Sequence, residues 1–219
     1  MDPEAITPEI LLNAYAMGIF PMAEGRDVAE VHWVDPRQRG ILPLQGFHIS
    51  RSLSRRIRRW NYTIRTNSDF GGVVHACAER DETWINAPLF ALYQKLHDLG
   101  FAHSVEVWSE GRMAGGVFGI ALGGAFFGES MFSRETGGSK VALAYCIHRL
   151  RAGGFALFDT QFLTPHLASL GGIEIPRTAY RRLLQDALAL DATFFPDGYC
   201  PSPSVVASSG ASGATSGGS

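Results

Sequence analysis

Three apolar segments in the middle of the chain, joined by two glycine turns, most restrict how this sequence can fold. They read "HSVEVWSE", "MAGGVFGIALG" and "AFFGES" and lie between His103 and Ser130. Glu110-Gly111 joins the first segment to the second, and Gly123-Gly124 joins the second to the third. Apolar segments separated by such short turns are typical of strands that pair with their neighbours. The pattern predicts an antiparallel meander.

The segments on either side of this meander predict an α+β protein. A strand "YTIRT" and two helices precede it, the first over residues 70–77 and the second from Asn86 to Gly100. A helix capped by Ser139 and running to Arg151, the strand "FALFDTQF" and further helices follow it. The order β-α-α-β-β-β-α-β-α is typical of a mostly antiparallel sheet with helices against it. GCN5-related acyltransferases share this order, an analogy that does not fix a function.

The composition is that of a globular protein without a membrane span. Of the 219 residues, 46% are hydrophobic, and no apolar run approaches the ~20 residues that a spanning helix needs. The acidic start "MDPEAITPEI" lacks the basic and apolar parts of a signal peptide, so we expect a cytoplasmic protein. Three scattered cysteines predict neither a disulfide framework nor a zinc site. We also expect "ASSGASGATSGGS", and with it residues 201–219, to be disordered.

Positive charge is concentrated in one segment, residues 48–66, which holds six arginines and no acidic residue. Removing these six charges from the net charge of −2 leaves −8 on the rest of the chain. Residues 50–60 have the period of an amphipathic helix, with Arg51, Arg55 and Arg58 on the face opposite Leu53 and Ile57. Like charges at this spacing destabilise a helix by roughly 0.2–0.5 kcal/mol per pair. The pattern therefore fits a polyanion-binding helix as well as a solvated surface.

Two motifs suggest catalysis or phosphate binding at first sight, but each lacks a required residue. A nucleophile elbow needs Gly two positions after Ser130, and Phe132 stands there. A phosphate loop needs Lys before the hydroxyl residue, whereas Ser139 precedes Lys140. The "TGGSK" segment offers backbone amides to a pyrophosphate but lacks the Gly-rich signature of acetyl-CoA binding. An acetyl-CoA-dependent small-molecule acyltransferase therefore stays an alternative only.

Polar residues in apolar surroundings form the remaining candidates for a site. Glu129 lies among apolar residues of the last meander segment, where an unpaired carboxylate is costly. Asp159 and Gln161 are two residues apart near the end of a strand and so share one face. His166 follows at the start of a helix. Each of these residues fits either a structural role or a site role.

Several segments together resemble the leucyl/phenylalanyl-tRNA–protein transferases. The resemblance runs from about Thr7 to Arg182, and its most specific part is "GESMFS" followed by "DTQ" and "HLASLG". The other matching segments are "AYAMGIFPM", "WVDPRQRGILP", "FHISRSL", "TWI" and "AHSVEVW".

This resemblance implies an enzyme of the N-end rule pathway. Such an enzyme transfers Leu or Phe, and in some cases Met, from aminoacyl-tRNA to the α-amine of proteins that begin with Arg or Lys. The ester donor is already activated, so the resemblance implies no metal and no other cofactor. It also implies a small N-terminal domain, residues 1–46, packed on an acyltransferase-like catalytic domain, residues 47–200, which includes helix 50–60.

The resemblance also assigns roles to individual residues. Asp159 and Gln161 correspond to the family's catalytic pair, with the amide passing its influence to the attacking amine. Trp84 corresponds to a tryptophan beside the terminal adenosine of the tRNA, and Glu129 to a glutamate at the floor of the donor pocket. The pocket for the donor side chain draws on Val117, Phe126, Met131 and Phe158. The basic cluster for the acceptor stem corresponds to Arg51, Arg55, Arg58 and Arg59.

Two positions depart from the family pattern. Met22 replaces a tryptophan that some members have, which removes a stacking surface. Val117 stands where a larger Met occurs, which widens the expected donor pocket.

Overall fold

The secondary structure follows the predicted order over residues 6–210, which the computed structural model describes. The helices are α1 (Pro8–Ala16), α2 (Arg51–Arg59), α3 (Phe70–Ala78), α4 (Ala87–Asp98), α5 (Gly138–Ala152), α6 (Pro165–Ser169), α7 (Arg177–Leu188) and α8 (Pro203–Ser208). The strands are β1 (Phe20–Ala23), β2 (Val31–Val34), β3 (Gln38–Ile41), β4 (Thr63–Thr66), β5 (Ala102–Ser109), β6 (Arg112–Leu122), β7 (Ala125–Ser133), β8 (Leu157–Gln161) and β9 (Ile173–Pro176).

One large sheet organises the molecule, with the strand order β4-β5-β6-β7-β8-β3-β9. Its strands pair antiparallel except for β7 and β8, which run parallel. Strands β5, β6 and β7 form the predicted meander, and β1 and β2 form a separate antiparallel pair. The prediction of an α+β protein with a mostly antiparallel sheet is confirmed.

Each face of the large sheet carries its own hydrophobic core because side chains alternate along the strands. Phe118 and Phe127 belong to the core on one face, which α1, α3, α4 and α7 cover. Val117 and Phe126 belong to the core on the other face, which α2, α5 and α8 cover. A residue on a central strand is therefore buried whichever way it points, and a polar one there needs partners.

The basic helix, α2, has one apolar face that is buried and one basic face that is exposed. The Ser50 hydroxyl caps α2 by accepting from the Leu53 backbone N–H, and Leu53 and Ile57 are buried. The four arginines predicted to bind tRNA, Arg51, Arg55, Arg58 and Arg59, are exposed. The helix predicted over residues 50–60 is thus present as Arg51–Arg59.

The structure changes three predictions about boundaries and caps. Strand β3 lies within the large sheet, between β8 and β9, although residues 38–41 fall in the predicted N-terminal domain. Disorder from residue 201 is wrong for α8, because Val206 and Ala207 are buried against α2 and α5. Residues 211–219 lie outside the described part of the chain. Gly137, in the left-handed region at φ 81°, occupies the cap position of α5 instead of Ser139.

Candidate active site

A cavity of about 870 Å³ opens where β7 and β8 end their pairing. Its apolar wall includes Val117, Met131 and Phe158, three of the four residues predicted for a donor pocket. Glu129, Gln161 and Trp84 also line it, as predicted site residues. The structure therefore brings an apolar wall, a carboxylate and a carboxamide into one space.

Phe126 and Asp159, also predicted for the site, do not line this cavity. The Phe126 ring is buried behind the wall, with its centroid 5.3 Å from that of Phe158 and 5.7 Å from that of Phe194. Phe126 therefore supports the wall from the core because its strand position faces the second hydrophobic cluster.

Glu129 projects from a β-bulge in β7. Phe118 of β6 pairs with Ser130 and Gly119 pairs with Gly128, so Glu129 is an extra residue without a partner. A bulge re-aims the side chain of the extra residue, and bulges are frequent beside active sites. The local sequence does not reveal this bulge. The bulge explains how a carboxylate between apolar neighbours reaches the cavity.

Three neutral donors hold the Glu129 carboxylate, which is only 8% exposed. The Tyr15 hydroxyl donates to Oε1 at 2.8 Å and the Tyr93 hydroxyl to Oε2 at 2.9 Å. The Gln161 Nε2 group donates to Oε1 at 3.0 Å. Burial raises the pKa of Glu129 to about 7, although these hydrogen bonds oppose the rise. The carboxylate thus sits close to the point of protonation at neutral pH.

The backbone at Gln161 is held in an uncommon conformation. Its φ is 65°, and the Phe162 N–H donates to the Thr160 carbonyl at 2.7 Å across it, which makes a tight γ-turn. A non-glycine residue in this conformation persists only where its surroundings enforce it, often at functional sites. Gly40 of β3 permits the turn, because a Cβ there would come 2.5 Å from the Phe162 carbonyl carbon.

Asp159 enforces this turn from the protein interior. Its Oδ1 accepts from the Gln161 backbone N–H at 2.8 Å and from Arg39 Nε at 2.9 Å. Its Oδ2 accepts from Arg39 Nη2 at 2.6 Å and from the Tyr180 hydroxyl at 2.6 Å. Asp159 is fully buried and both of its oxygens are occupied. It orients Gln161 and has no direct access to the cavity.

Arg39 is a site residue that the sequence reasoning missed. Its guanidinium is 1% exposed and lies between the rings of Phe20 and Tyr180, 4.6 and 4.5 Å from their centroids. It also donates to the Gly18 carbonyl at 2.9 Å. Tyr15 and Tyr93 were missed as well, because each lies among the buried residues of a helix. The one local sign of Arg39 in the sequence was an arginine in a short strand bounded by prolines.

Trp84, which was predicted to lie beside the terminal adenosine of the tRNA, lines the cavity and is partly exposed. Its ring meets that of Tyr93 edge to face, with centroids 6.2 Å apart. Met22 also lines the cavity, so the position where some family members have a tryptophan faces the same space.

The exposed arginines of α2 lie outside the first cavity. Within residues 6–210, no acidic side chain forms an ion pair with Arg51, Arg55, Arg58 or Arg59. A second cavity, of about 520 Å³, begins at Trp60 at the end of α2. Arg134 lines both cavities, so the second cavity adjoins the first.

The serines of the two rejected motifs both lie at the first cavity. Ser130 and Ser139 line the first cavity, and the Ser139 N–H donates to the Ser133 hydroxyl at 2.8 Å. His166 also lines the cavity, and burial lowers its pKa.

In the described part of the chain, no group of three or more His, Cys, Asp or Glu side chains is placed to hold a metal ion. No helix within residues 6–210 is long and apolar enough to cross a membrane.

Comparison with known proteins gives a family for this chain. The family model "Leucyl/phenylalanyl-tRNA protein transferase" matches residues 41–185, and the model for the N-terminal domain of the same family matches residues 4–37. A relative from Cereibacter sphaeroides (strain ATCC 17025), named leucyl/phenylalanyl-tRNA–protein transferase, is 66% identical over 94% of this chain and 96% of its own. A relative of the same name from Ruegeria sp. (strain TM1040) is 60% identical over 92% of this chain and 95% of its own.

Solved structures give only a distant likeness. The crystal structure of FemX has a TM-score of 0.47 and 13% identity, covering 79% of this chain and 70% of that one. The family assignment depends on the sequence matches, which span both segments that build the site. The chain belongs to the leucyl/phenylalanyl-tRNA–protein transferase family.

Proposed function

We propose that this protein transfers Leu, Phe or Met from aminoacyl-tRNA to the α-amine of cytoplasmic proteins that begin with Arg or Lys. Membership of the family supports this function, and one observation in the structure carries it. A single cavity joins an apolar wall, suited to the donor side chain, to the Glu129–Gln161 pair, suited to the acceptor amine.

The donor side chain binds to the wall that Val117, Met131 and Phe158 form. Burial of a Leu or Phe side chain is worth roughly 1.5–3 kcal/mol relative to exposure. A charged donor side chain would lose its hydration there without a partner. The wall thus selects apolar aminoacyl groups.

The reaction needs an amine that is positioned and deprotonated. The acceptor nitrogen bonds to the ester carbonyl carbon, the bond from that carbon to the ribose oxygen breaks, and the amine proton moves to that oxygen. The product is a peptide bond and uncharged tRNA. Since the ester is already activated, positioning and proton transfer suffice.

Gln161 is the group that we assign to the acceptor amine. Its Nε2 is engaged by Glu129, which leaves Oε1 to accept a hydrogen bond from the amine. The Glu129 carboxylate polarises this amide and favours the positive charge that develops on the attacking nitrogen. Asp159 and Arg39 act through Gln161, as positioning residues, because they fix its backbone.

The tRNA is bound at two places in this proposal. Trp84 stacks on the terminal adenosine, and the exposed arginines of α2 contact phosphates of the acceptor stem. Stacking of a base on an aromatic side chain contributes about 1–3 kcal/mol, and each phosphate contact makes binding more salt-dependent.

A transfer assay tests the proposed function. Radiolabelled Phe-tRNA is incubated with the protein and a peptide that begins with Arg or Lys, and an N-acetylated copy of the peptide is the control. We expect label in the free peptides only. Folded protein that transfers label to none of them would overturn the proposal, and tight acetyl-CoA binding in calorimetry would then favour the acyltransferase alternative.

The salt dependence of tRNA binding tests the role of α2. Arg55→Gln with Arg58→Gln should lower the slope of log affinity against log salt by about 0.7–0.9 for each phosphate that the variant no longer neutralises. Arg181→Gln, on α7, removes an arginine that already pairs with Asp35 at 2.8 Å and is the matched control. An equal slope for all three proteins would contradict the assignment.

A further inference from the structure

The acceptor's basic side chain needs a carboxylate near the reaction centre, and the cavity offers two. Among the described residues that line it, the acidic ones are Glu79 and Glu129. An acceptor that begins with Arg or Lys brings two cationic groups, the α-amine and the side chain. The two carboxylates therefore have to be assigned to them.

Glu129 is not available to the side chain. Its oxygens accept from Tyr15, Tyr93 and Gln161, and it is 8% exposed. A guanidinium that replaced these donors would have to displace a tyrosine from the core. Glu129 therefore serves the α-amine through Gln161.

Glu79 is accessible, and the two side chains that pair with its carboxylate are themselves exposed and can move away. It ends α3 at the rim of the cavity, with its side chain 47% exposed. Oε2 accepts from Arg134 Nη2 at 3.0 Å, and Oε1 lies 3.3 Å from His75 Nδ1. The Arg134 side chain is 50% exposed and that of His75 is 71% exposed, so either one can turn into solvent. Exposed pairs of this kind are worth at most about 1 kcal/mol.

Arg80 is the other cation on this side of the cavity, and it is already committed. Its Nη2 donates to the Met131 backbone carbonyl, which directs the guanidinium to the chain and not to Glu79. The cation that an acceptor has to replace at Glu79 is therefore that of Arg134.

We propose that Glu79 is a subsite for the guanidinium or ammonium group of the acceptor's first residue. The acceptor cation takes the place of Arg134 on Oε2 while its α-amine reaches Gln161. This inference rests on the proposed function, because it names the residue that selects acceptors of the same reaction.

A pair of acceptor peptides that differ only in charge tests the subsite. One peptide begins with Arg and the other with citrulline, its neutral analogue of nearly the same shape. Phe transfer from charged tRNA is measured as kcat/KM for each peptide. Glu79→Gln should lower the preference for Arg over citrulline about fivefold through KM, with the citrulline reaction unchanged. Glu79→Lys should lower the Arg reaction further.

Two matched variants separate this role from others. Glu110→Gln removes an exposed glutamate that lies 3.7 Å from Arg112, and it should leave the preference as it is. Glu129→Gln should slow both peptides alike. A preference that survives in both Glu79 variants, or one that is lost in Glu129→Gln instead, would overturn the subsite. Wild-type protein that transfers Phe to neither peptide would overturn the proposed function itself.

Discussion

Glu106 and Glu129 are both buried carboxylates in the large sheet, yet their pKa values shift in opposite directions. Burial raises the pKa of each group. At Glu106 the hydrogen bonds outweigh burial and the pKa is lowered, whereas at Glu129 burial prevails and the pKa rises to about 7. The two strands that carry them, β5 and β7, flank β6. The two carboxylates also differ in their hydrogen-bond partners.

The partners of Glu106 are more numerous and include backbone groups. Oε1 accepts from the N–H groups of Ser68 and Asp69 at 2.9 and 3.0 Å and from the Ser104 hydroxyl at 2.9 Å. Oε2 accepts from the Ser68 hydroxyl and from Trp108 Nε1. These amides lie at the start of α3, where the helix dipole favours a negative charge.

Glu129 has three donors, all from side chains, and none carries a charge. Asp159 adds a negative charge nearby that raises its pKa further. Glu106 is therefore fixed as a carboxylate that fastens α3 to the sheet, while Glu129 stays close to protonation. In the proposed function, the carboxylate that serves the chemistry, Glu129, is thus the one with fewer hydrogen bonds, and Glu106 serves the architecture.

The largest expected effect concerns the third buried carboxylate, Asp159. Arg39→Leu leaves this charge in the core without its cation, and we expect a loss of about 3–5 kcal/mol in the free energy of unfolding. Urea denaturation measures it. Replacing both Arg39 and Asp159 by Leu should recover part of the loss, and a single variant as stable as wild type would show that Asp159 needs no charge partner.

The next effect should separate the two glutamates by activity. Glu129→Gln removes the charge that polarises Gln161, and we expect transfer to fall about 100-fold, within the usual range for acid–base groups. Stability should change by about 1 kcal/mol or less, because a neutral amide suits the buried position. Steady-state kinetics and urea denaturation of the same sample measure both. Unchanged kcat would remove Glu129 from the chemistry.

Glu106→Gln should show the reverse pattern. The new amide turns an NH₂ group toward donors, so we expect a loss of about 2 kcal/mol in stability. The kcat of the remaining folded protein should stay within about twofold, since Glu106 does not line the cavity. A variant of wild-type stability would end the contrast between the two carboxylates.

The last test of this contrast is the pH dependence of stability. A carboxylate with a raised pKa contributes stability below its unfolded value, near 4.3, and loses it as pH rises through the folded value. Wild type should therefore lose stability relative to Glu129→Gln as the pH rises from 5 to 7. Glu106 has a lowered pKa, so its contribution is complete above about pH 4.3 and is lost only in more acidic solution.

Unfolding in urea at several pH values distinguishes the two curves. The gap between wild type and Glu106→Gln should be flat from pH 5 to pH 8, while that for Glu129→Gln slopes. Parallel curves would mean that both carboxylates titrate alike.

Local patterns in the sequence predicted most of the elements. The period of α2 and the turns of the meander depend on residues within a few positions, and these were identified. Helix α8 was missed because a short apolar pair, Val206 and Ala207, becomes stable only against α2 and α5. The start of α5 was misplaced because Gly137 supplies a left-handed residue that capping rules for serine do not reveal.

The sequence predicted several residues that line or support the cavity, but not the contacts between them. The resemblance identified Glu129, Asp159 and Gln161, and apolar context singled out Glu129 independently. It did not reveal that Arg39 is the partner of Asp159, because the two are 120 positions apart in the chain. The bulge at Glu129 and the turn at Gln161 depend on strand register, which no local spacing specifies.

Tyr15 and Gly18 belong to the segment matched by one family model, and the groups that they bind, Glu129 and Arg39, belong to or border the other. A chain limited to the later segment would lack one donor to Glu129 and would lack Arg39 itself. The two segments therefore build the cavity together. A chimera made by exchanging the first 37 residues with a distant relative should keep its activity only where the tyrosine and the turn after it are retained.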